Sequence, residues 1–167
     1  MSSKPVTKFD GVKPALSKSV LAAIDTFGFT AMTPVQAATI PLFLGHKDVC
    51  VEATTGSGKT LAFAIPVYEI LLRVDNQFRK NDVGAMVIAP TRELATQIFS
   101  VFEQLNSVTH GKDIQLAALI GGVSVTSSAA QLEESGANIV VGTPGRIMDT
   151  INRCTFLSFK ALEGLVM

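Results

Sequence analysis

Charge is what this sequence has least of. Charged residues make up 17% of its 167 positions, against about 25% in an average globular chain. Fourteen Lys and Arg balance fourteen Asp and Glu, so the formal net charge is zero. No bulk attraction to nucleic acid or to a membrane surface follows from such a balance. Any nucleic-acid site must come from local geometry. Cysteine is scarce as well. Cys50 and Cys154 are the only two, and they make neither a disulfide framework nor a zinc site. They fit a reducing, intracellular compartment. Cys50 stands in an apolar run and reads as a small core residue. Long hydrophobic runs are missing too. The longest near-apolar run, 61–72, is interrupted by Pro66, Tyr68 and Glu69 and falls short of the roughly 20 residues that a membrane span needs. The first residues alternate Lys, Pro and Ser with single apolar residues, which is not a signal peptide. There is no internal repeat and no low-complexity tract.

What the chain does have is the material for a core. Apolar residues are 47% of the total, which excludes intrinsic disorder. The length suits one domain, able to bury roughly 70% of the surface its unfolded chain exposes. Residues 1–8 read as a flexible lead-in. Leu16, Val20, Leu21 and Ile24 recur at helical spacing and predict a helix over 17–26. Gly28 ends it. Thr33-Pro34 then opens a second helix, with the hydroxyl as cap and proline as first residue, running to Leu44 before Gly45.

From there the pattern alternates. Strands are predicted at 48–51, 85–89, 114–120, 139–141 and from 165 onward; helices are predicted at 59–74, 92–105, 125–134 and 144–152. That alternation predicts an α/β fold, a parallel sheet with helices on both faces. Runs such as Ala85-Met86-Val87-Ile88-Ala89 suit strands buried on both sides. Ligands of such sheets bind at the carboxyl ends of the strands. Each unusual loop in the sequence lies at such an end: 54–58, 90–93, 121–122 and 143–146.

The first of these loops carries the chemistry. Ala53-Thr54-Thr55-Gly56-Ser57-Gly58-Lys59-Thr60 has the phosphate-loop form, with alanine in place of the first glycine. Glycines let backbone N–H groups turn inward around phosphate oxygens. The following helix adds the partial positive charge of its N-terminus. Lys59 would reach the terminal phosphates, and the Thr60 hydroxyl would ligate Mg²⁺. An ordinary glycine-rich turn is a poor alternative, since the pattern arises by chance on the order of once in a hundred chains of this length. A phosphate loop does not by itself name the reaction, and a kinase or GTPase stays open at this point.

Gln36 lies upstream of the loop, in Gly28-Phe29-Thr30-Ala31-Met32-Thr33-Pro34-Val35-Gln36. A carboxamide can donate to one edge atom of adenine and accept from another. From spacing alone, a solvated side chain is the better account of a lone glutamine near a helix start. The remaining loops offer Thr91, Arg92, Thr143 and Arg146 as groups for phosphate oxygens, and Gly121-Gly122 for close backbone approach. Taken one at a time, they could equally be surface helix residues and turn punctuation.

Taken together, these motifs resemble the N-terminal, RecA-like lobe of the DEAD-box ATP-dependent RNA helicases. Residues 28–36 resemble the adenine-sensing Q motif of that family, with Phe9 as its upstream aromatic and Thr33 beside Gln36. Residues 53–60 are similar to motif I, Pro90-Thr91-Arg92-Glu93-Leu94-Ala95 to motif Ia, Gly121-Gly122 to the double-glycine element, and Thr143-Pro144-Gly145-Arg146 to motif Ib. Met32 departs from the family, which more often has proline there. The resemblance implies a RecA-like phosphate-loop domain over 9–167. Its cofactors would be ATP and Mg²⁺, with Lys59 and Thr60 serving catalysis. Pro90, Thr91, Arg92, Gly121, Gly122 and residues 143–146 would grip an RNA backbone. Such binding would be independent of base sequence and dependent on salt. It further implies a monomer without membrane attachment, acting in the nucleus or nucleolus. The Met-Thr-Pro-Val-Gln wording is similar to that of eukaryotic members of ribosome assembly.

Motif II, Asp-Glu-Ala-Asp, is expected directly after a strand such as 165–167, where the chain stops. On the resemblance, the chain is a lobe cut short before motif II, able to bind and poorly able to hydrolyse. A non-catalytic fragment that binds nucleotide or RNA is the alternative reading. His46 and His110 have no acid or metal-ligand partner at useful spacing and read as surface residues.

Overall fold

A computed structural model describes residues 8–74, 78–108, 114–122 and 124–167. His110 lies outside them, and so does Lys112-Asp113, a charged pair whose sequence reads as a solvated face. The chain divides into two compact units, Met1–Arg73 with Gln104–Gly111, and Val74–Glu103 with Lys112–Met167.

In the first unit, local capping chemistry sets the helix boundaries. A short 3-10 turn at Phe9–Gly11 buries Phe9. Helix α1 (Lys18–Asp25) starts at Ser17, whose hydroxyl accepts from the Val20 N–H at 3.3 Å. Helix α2 (Pro34–Leu44) starts at Thr33 with proline in its first turn and ends at Gly45, as the sequence predicts. Helix α3 (Lys59–Arg73) is apolar around most of its circumference, and Leu61, Ala64, Ile65, Tyr68 and Leu71 are among its buried residues. It runs unbroken through Pro66. Both α1 and α2 pack against α3. The Tyr68 hydroxyl donates to Asn106 Oδ1 at 2.6 Å, giving a buried phenol the partner it needs.

One charge is buried in this unit. Glu69 is 1% exposed. Its Oε2 accepts from the Ser17 N–H at 3.0 Å and from the Ser17 hydroxyl at 2.8 Å. Its Oε1 accepts from Arg73 Nε at 2.8 Å, one turn along α3. A buried carboxylate is tolerable only with such a set of donors, and here they tie the start of α1 to α3.

The segment predicted as a strand over 48–51 is not one, and it has no ladder partner among the described residues. A strand exists by pairing, so an apolar run without a neighbour stays irregular. The prediction that Cys50 is a core residue fails for the same reason. Cys50 is exposed, and so is Val51 beside it.

The second unit is built on a parallel four-stranded sheet in the order β2-β3-β1-β4, with β1 Ala85–Ile88, β2 Leu116–Leu119, β3 Ile139–Gly142 and β4 Gly164–Val166. Helices α4 (Arg92–Val108), α5 (Val125–Ser135) and α6 (Pro144–Ile151) connect them. The central β3 is buried along its whole length and β1 nearly so, as continuous apolar runs demand. β4 pairs with β1 alone and leaves Leu165 half exposed. Met86, Leu119, Val140, Leu132 and Ile147 belong to one core cluster in this unit. Asn138 fastens the strand starts. Its Nδ2 donates to the carbonyls of Arg79 at 3.0 Å and Asp82 at 2.9 Å, and its Oδ1 accepts from Gln115 N–H at 2.9 Å.

Register decides where the loops go. Ile88 is level with Gly142, and Gly142 with Leu119. The three strands therefore end in one row, and the loops 90–93, 121–122 and 143–146 leave from the same edge. The loop at 54–58 follows no strand, so the sheet-end rule covers three of the four loops singled out in the sequence.

Candidate nucleotide and nucleic-acid sites

The phosphate loop belongs to the first unit, between the irregular segment and α3. Its turn rests on Gly56 (φ +78°) and Gly58 (φ +89°), a region that costs other residues roughly 1–2 kcal/mol. Space at Gly56 is open, with nothing within 4 Å of where a Cβ would stand. Ala53 and residues 57–60 are half-buried, while Thr54, Thr55 and Gly56 are exposed. Lys59 folds back into its own loop: its ammonium donates to the carbonyls of Ala53 and Thr54, the latter at 2.6 Å. Ser57 Oγ is buried with no hydrogen-bond partner among the described residues. A loop that already concentrates an ammonium, an orphaned hydroxyl and the N-terminus of α3 is shaped for an anion.

Gln36 is not a solvated side chain. It is 3% exposed and completes a capping box with Thr33. Its Oε1 accepts from the Thr33 N–H at 2.9 Å, and its backbone N–H donates to Thr33 Oγ1 at 3.4 Å. Its Nε2 then donates to the Gly58 carbonyl at 3.2 Å. The upstream amide is thus bonded directly to the phosphate loop. The contact explains a second demand on Gly58. A Cβ there would stand 2.6 Å from Gln36 Nε2 and 3.1 Å from Thr33 Oγ1. Each amide atom of Gln36 keeps one further hydrogen-bonding capacity.

Phe9 is 5% exposed and belongs to the core of the first unit. The exposed aromatic in the Q-motif segment is Phe29, at 52%. Sequence reasoning left it out of the site. The available signal was its place directly after Gly28, whose φ of +74° turns the chain. Among the described residues no group of three or more His, Cys, Asp and Glu could hold a metal ion.

The second unit carries the other set. Thr91 caps α4, its hydroxyl oxygen accepting from the Leu94 N–H at 3.2 Å, which leaves its O–H to donate. Pro90, Thr91 and Arg92 are exposed. Thr143 stands at the start of α6 and makes no side-chain cap bond. Pro144 and Gly145 behind it are exposed, and the Cβ position of Gly145 has nothing within 4 Å. Arg146 is half-buried on the same turn. The double glycine has two unlike halves: Gly122 (φ +122°) has nothing within 4 Å of its Cβ position, whereas Gly121 faces the guanidinium of Arg92. Gly142, which sequence reasoning did not single out, lets the chain close. A Cβ on it would meet the Leu119 carbonyl oxygen at 2.3 Å and Ile147 Cγ1 at 3.0 Å.

A loop suited to an anion and tied to a buried carboxamide in one unit, and hydroxyls, arginines and open glycines along one sheet edge in the other, are the features expected of a candidate nucleotide site and a candidate nucleic-acid surface. The DEAD/DEAH box helicase family model matches residues 33–167, and the chain belongs to that family. It is 46% identical over 160 residues to DEAD-box ATP-dependent RNA helicase 18 of rice, covering 96% of this chain and 24% of that protein. It is 40% identical to the ATP-dependent rRNA helicase spb4 of Botryotinia fuckeliana, covering 92% of this chain and 28% of that protein. Among solved structures, Mss116p bound to single-stranded RNA and AMP-PNP superimposes with a TM-score of 0.82 at 33% identity, over 96% of this chain and 32% of that one. The chain therefore spans about a quarter of the length of the curated relatives it matches.

Proposed function

We propose that residues 9–167 form the ATP-binding lobe of an ATP-dependent RNA helicase, in which RNA-stimulated ATP hydrolysis drives local opening of RNA duplexes or remodelling of RNA–protein particles. The observation that carries this reading is the bond from Gln36 Nε2 to the Gly58 carbonyl. It joins a group suited to an adenine edge with a loop suited to phosphates.

On this reading the loop amides take the β- and γ-phosphate oxygens. The Lys59 ammonium exchanges the carbonyls of Ala53 and Thr54 for phosphate, a charge-assisted contact roughly twice as strong as a neutral one. Ser57 Oγ gains an acceptor. Gln36 meets the adenine edge with its remaining donor and acceptor, and the exposed ring of Phe29 supplies a face on which the base can stack. The Thr60 hydroxyl would hold Mg²⁺ together with phosphate oxygens, and the ion would neutralise charge on the transferring phosphoryl group.

RNA lies along the loop edge of the second unit. Its phosphates are met by Thr91, Arg92, Thr143 and Arg146, the N-terminus of α6, and the open backbone at Gly122 and Gly145. No base edge is read, so binding is independent of sequence and weakens with salt. The likeness to a protein solved with single-stranded RNA and AMP-PNP supports both ligands. The relative named for rRNA supports a place in ribosome assembly, and with it a nucleolar one. The protein acts as a monomer. No helix among the described residues is long and apolar enough to cross a membrane.

The test is ATP hydrolysis, with and without single-stranded RNA, by a helicase in which this lobe continues through motif II and the second lobe, as the wild type and as Lys59→Ala. Turnover should rise with RNA in the wild type and vanish in the variant, whose circular dichroism stays native. RNA-stimulated turnover surviving in Lys59→Ala contradicts the reading.

A further inference from the structure

We propose that Gly121 is a positioning residue whose bare α-carbon seats the guanidinium of Arg92 and holds it for an RNA phosphate. This rests on the reading of Arg92 as a phosphate contact, and it assigns the two halves of the double glycine to different tasks.

The geometry is specific. A Cβ built on Gly121 would stand 2.6 Å from Arg92 Nη2, 2.8 Å from Cζ and 2.8 Å from Nε. Those three atoms belong to one planar group. A point almost equally far from all three lies over the face of the plane, since an approach to the edge would leave Cζ farther away than the nitrogens. The place a Cβ would take therefore lies out of that plane, on the face side of the guanidinium above its Nε and Nη2. Stacking by its face leaves the in-plane N–H fork to donate, which is the geometry that suits phosphate. Arg92 is the first residue of α4 and is exposed. An unsupported side chain of that length keeps its rotamer freedom and loses it on binding. The seat removes part of that cost beforehand.

The backbone supplies an independent argument. Gly122 needs glycine for its φ of +122°, and nothing occupies the space beside it. Gly121 is not among the positive-φ glycines. An alanine is conformationally allowed at 121, and what stands in its way is Arg92. The obstruction is the far end of a flexible side chain, so Gly121→Ala folds and expels the guanidinium.

The test is equilibrium binding of labelled single-stranded oligouridine in the presence of AMP-PNP, titrated with KCl, for Gly121→Ala, Arg92→Ala and the double variant. Arg92→Ala should weaken binding by about fivefold, the scale of one exposed ion pair. It should also flatten the salt dependence by about 0.7 in log K against log salt, one phosphate contact to a single strand. Gly121→Ala should reproduce both changes. The double variant should bind no more weakly than Arg92→Ala. Gly121→Ala should add nothing in an Arg92→Lys background, where there is no planar group to seat. Gly121→Ala at wild-type affinity and salt slope, or losses that multiply in the double variant, would overturn the seat while leaving Arg92 as a phosphate contact. Arg92→Ala at wild-type affinity would overturn the phosphate reading, and the seat with it.

Discussion

Replacing Gly58 with alanine tests the link between the upstream glutamine and the phosphate loop. Two costs are legible in the structure. The first is conformational: a φ of +89° costs a residue with a Cβ roughly 1–2 kcal/mol. The second is steric. The new methyl would stand 2.6 Å from Gln36 Nε2, so the amide must swing away and surrender its 3.2 Å bond to the Gly58 carbonyl, worth about 1 kcal/mol. The sum is about 2–3 kcal/mol, which for a chain of this size lowers the melting temperature by roughly 4–12 °C. Only the second cost depends on Gln36. Gly58→Ala made on top of Gln36→Ala should therefore cost about 1 kcal/mol less than in the wild type. Urea melts followed by circular dichroism measure all four corners of this cycle. Strictly additive losses would refute the coupling, and an unchanged melt for Gly58→Ala would refute both costs.

Two further outcomes follow from buried groups. Glu69→Ala strands the donors of Ser17 and leaves Arg73 without its carboxylate. It should cost about 3 kcal/mol in a urea melt, the low end for a broken buried pair because the Arg73 side chain is 37% exposed, and Glu69→Gln should cost less because it keeps an acceptor for Ser17. A thiol reagent should modify Cys50, which is exposed, and spare Cys154, which is buried; burial, and then the charge of Glu133, hold the Cys154 thiol above its ordinary pKa. Mass mapping of the labelled native protein reads this directly, and equal labelling of the two cysteines contradicts the placement of Cys154.

Local signals in the sequence located most elements. Thr33-Pro34 and Gly45 bounded α2 because caps act within a few residues of themselves. The apolar runs placed β1 and β3 because a strand buried on both faces can hold little else. The strand expected at 48–51 failed because pairing is a property of a neighbour, and no composition of Val49, Cys50 and Val51 can supply one. Glu69 looked like an interruption in an apolar run. Its function as the acceptor for Ser17 joins residues 52 positions apart, and no local pattern encodes that. The site loops were legible as motifs. What was not legible was how their members divide the work: that Gln36 bonds to Gly58, that Phe29 rather than Phe9 is the exposed ring, and that Gly121 and Gly122 are glycine for different reasons. Those distinctions depend on which atoms approach across the fold.

The most direct test of the account is a competition between ATP and GTP for the phosphate loop, in the wild type and in Gln36→Ala. Gln36 also supports Gly58, so the variant should bind both nucleotides more weakly, and the ratio of the two affinities is the informative quantity. The wild type should prefer ATP, and Gln36→Ala should narrow this preference. GTP bound as tightly as ATP by the wild type, or a preference for ATP undiminished in Gln36→Ala, would contradict it.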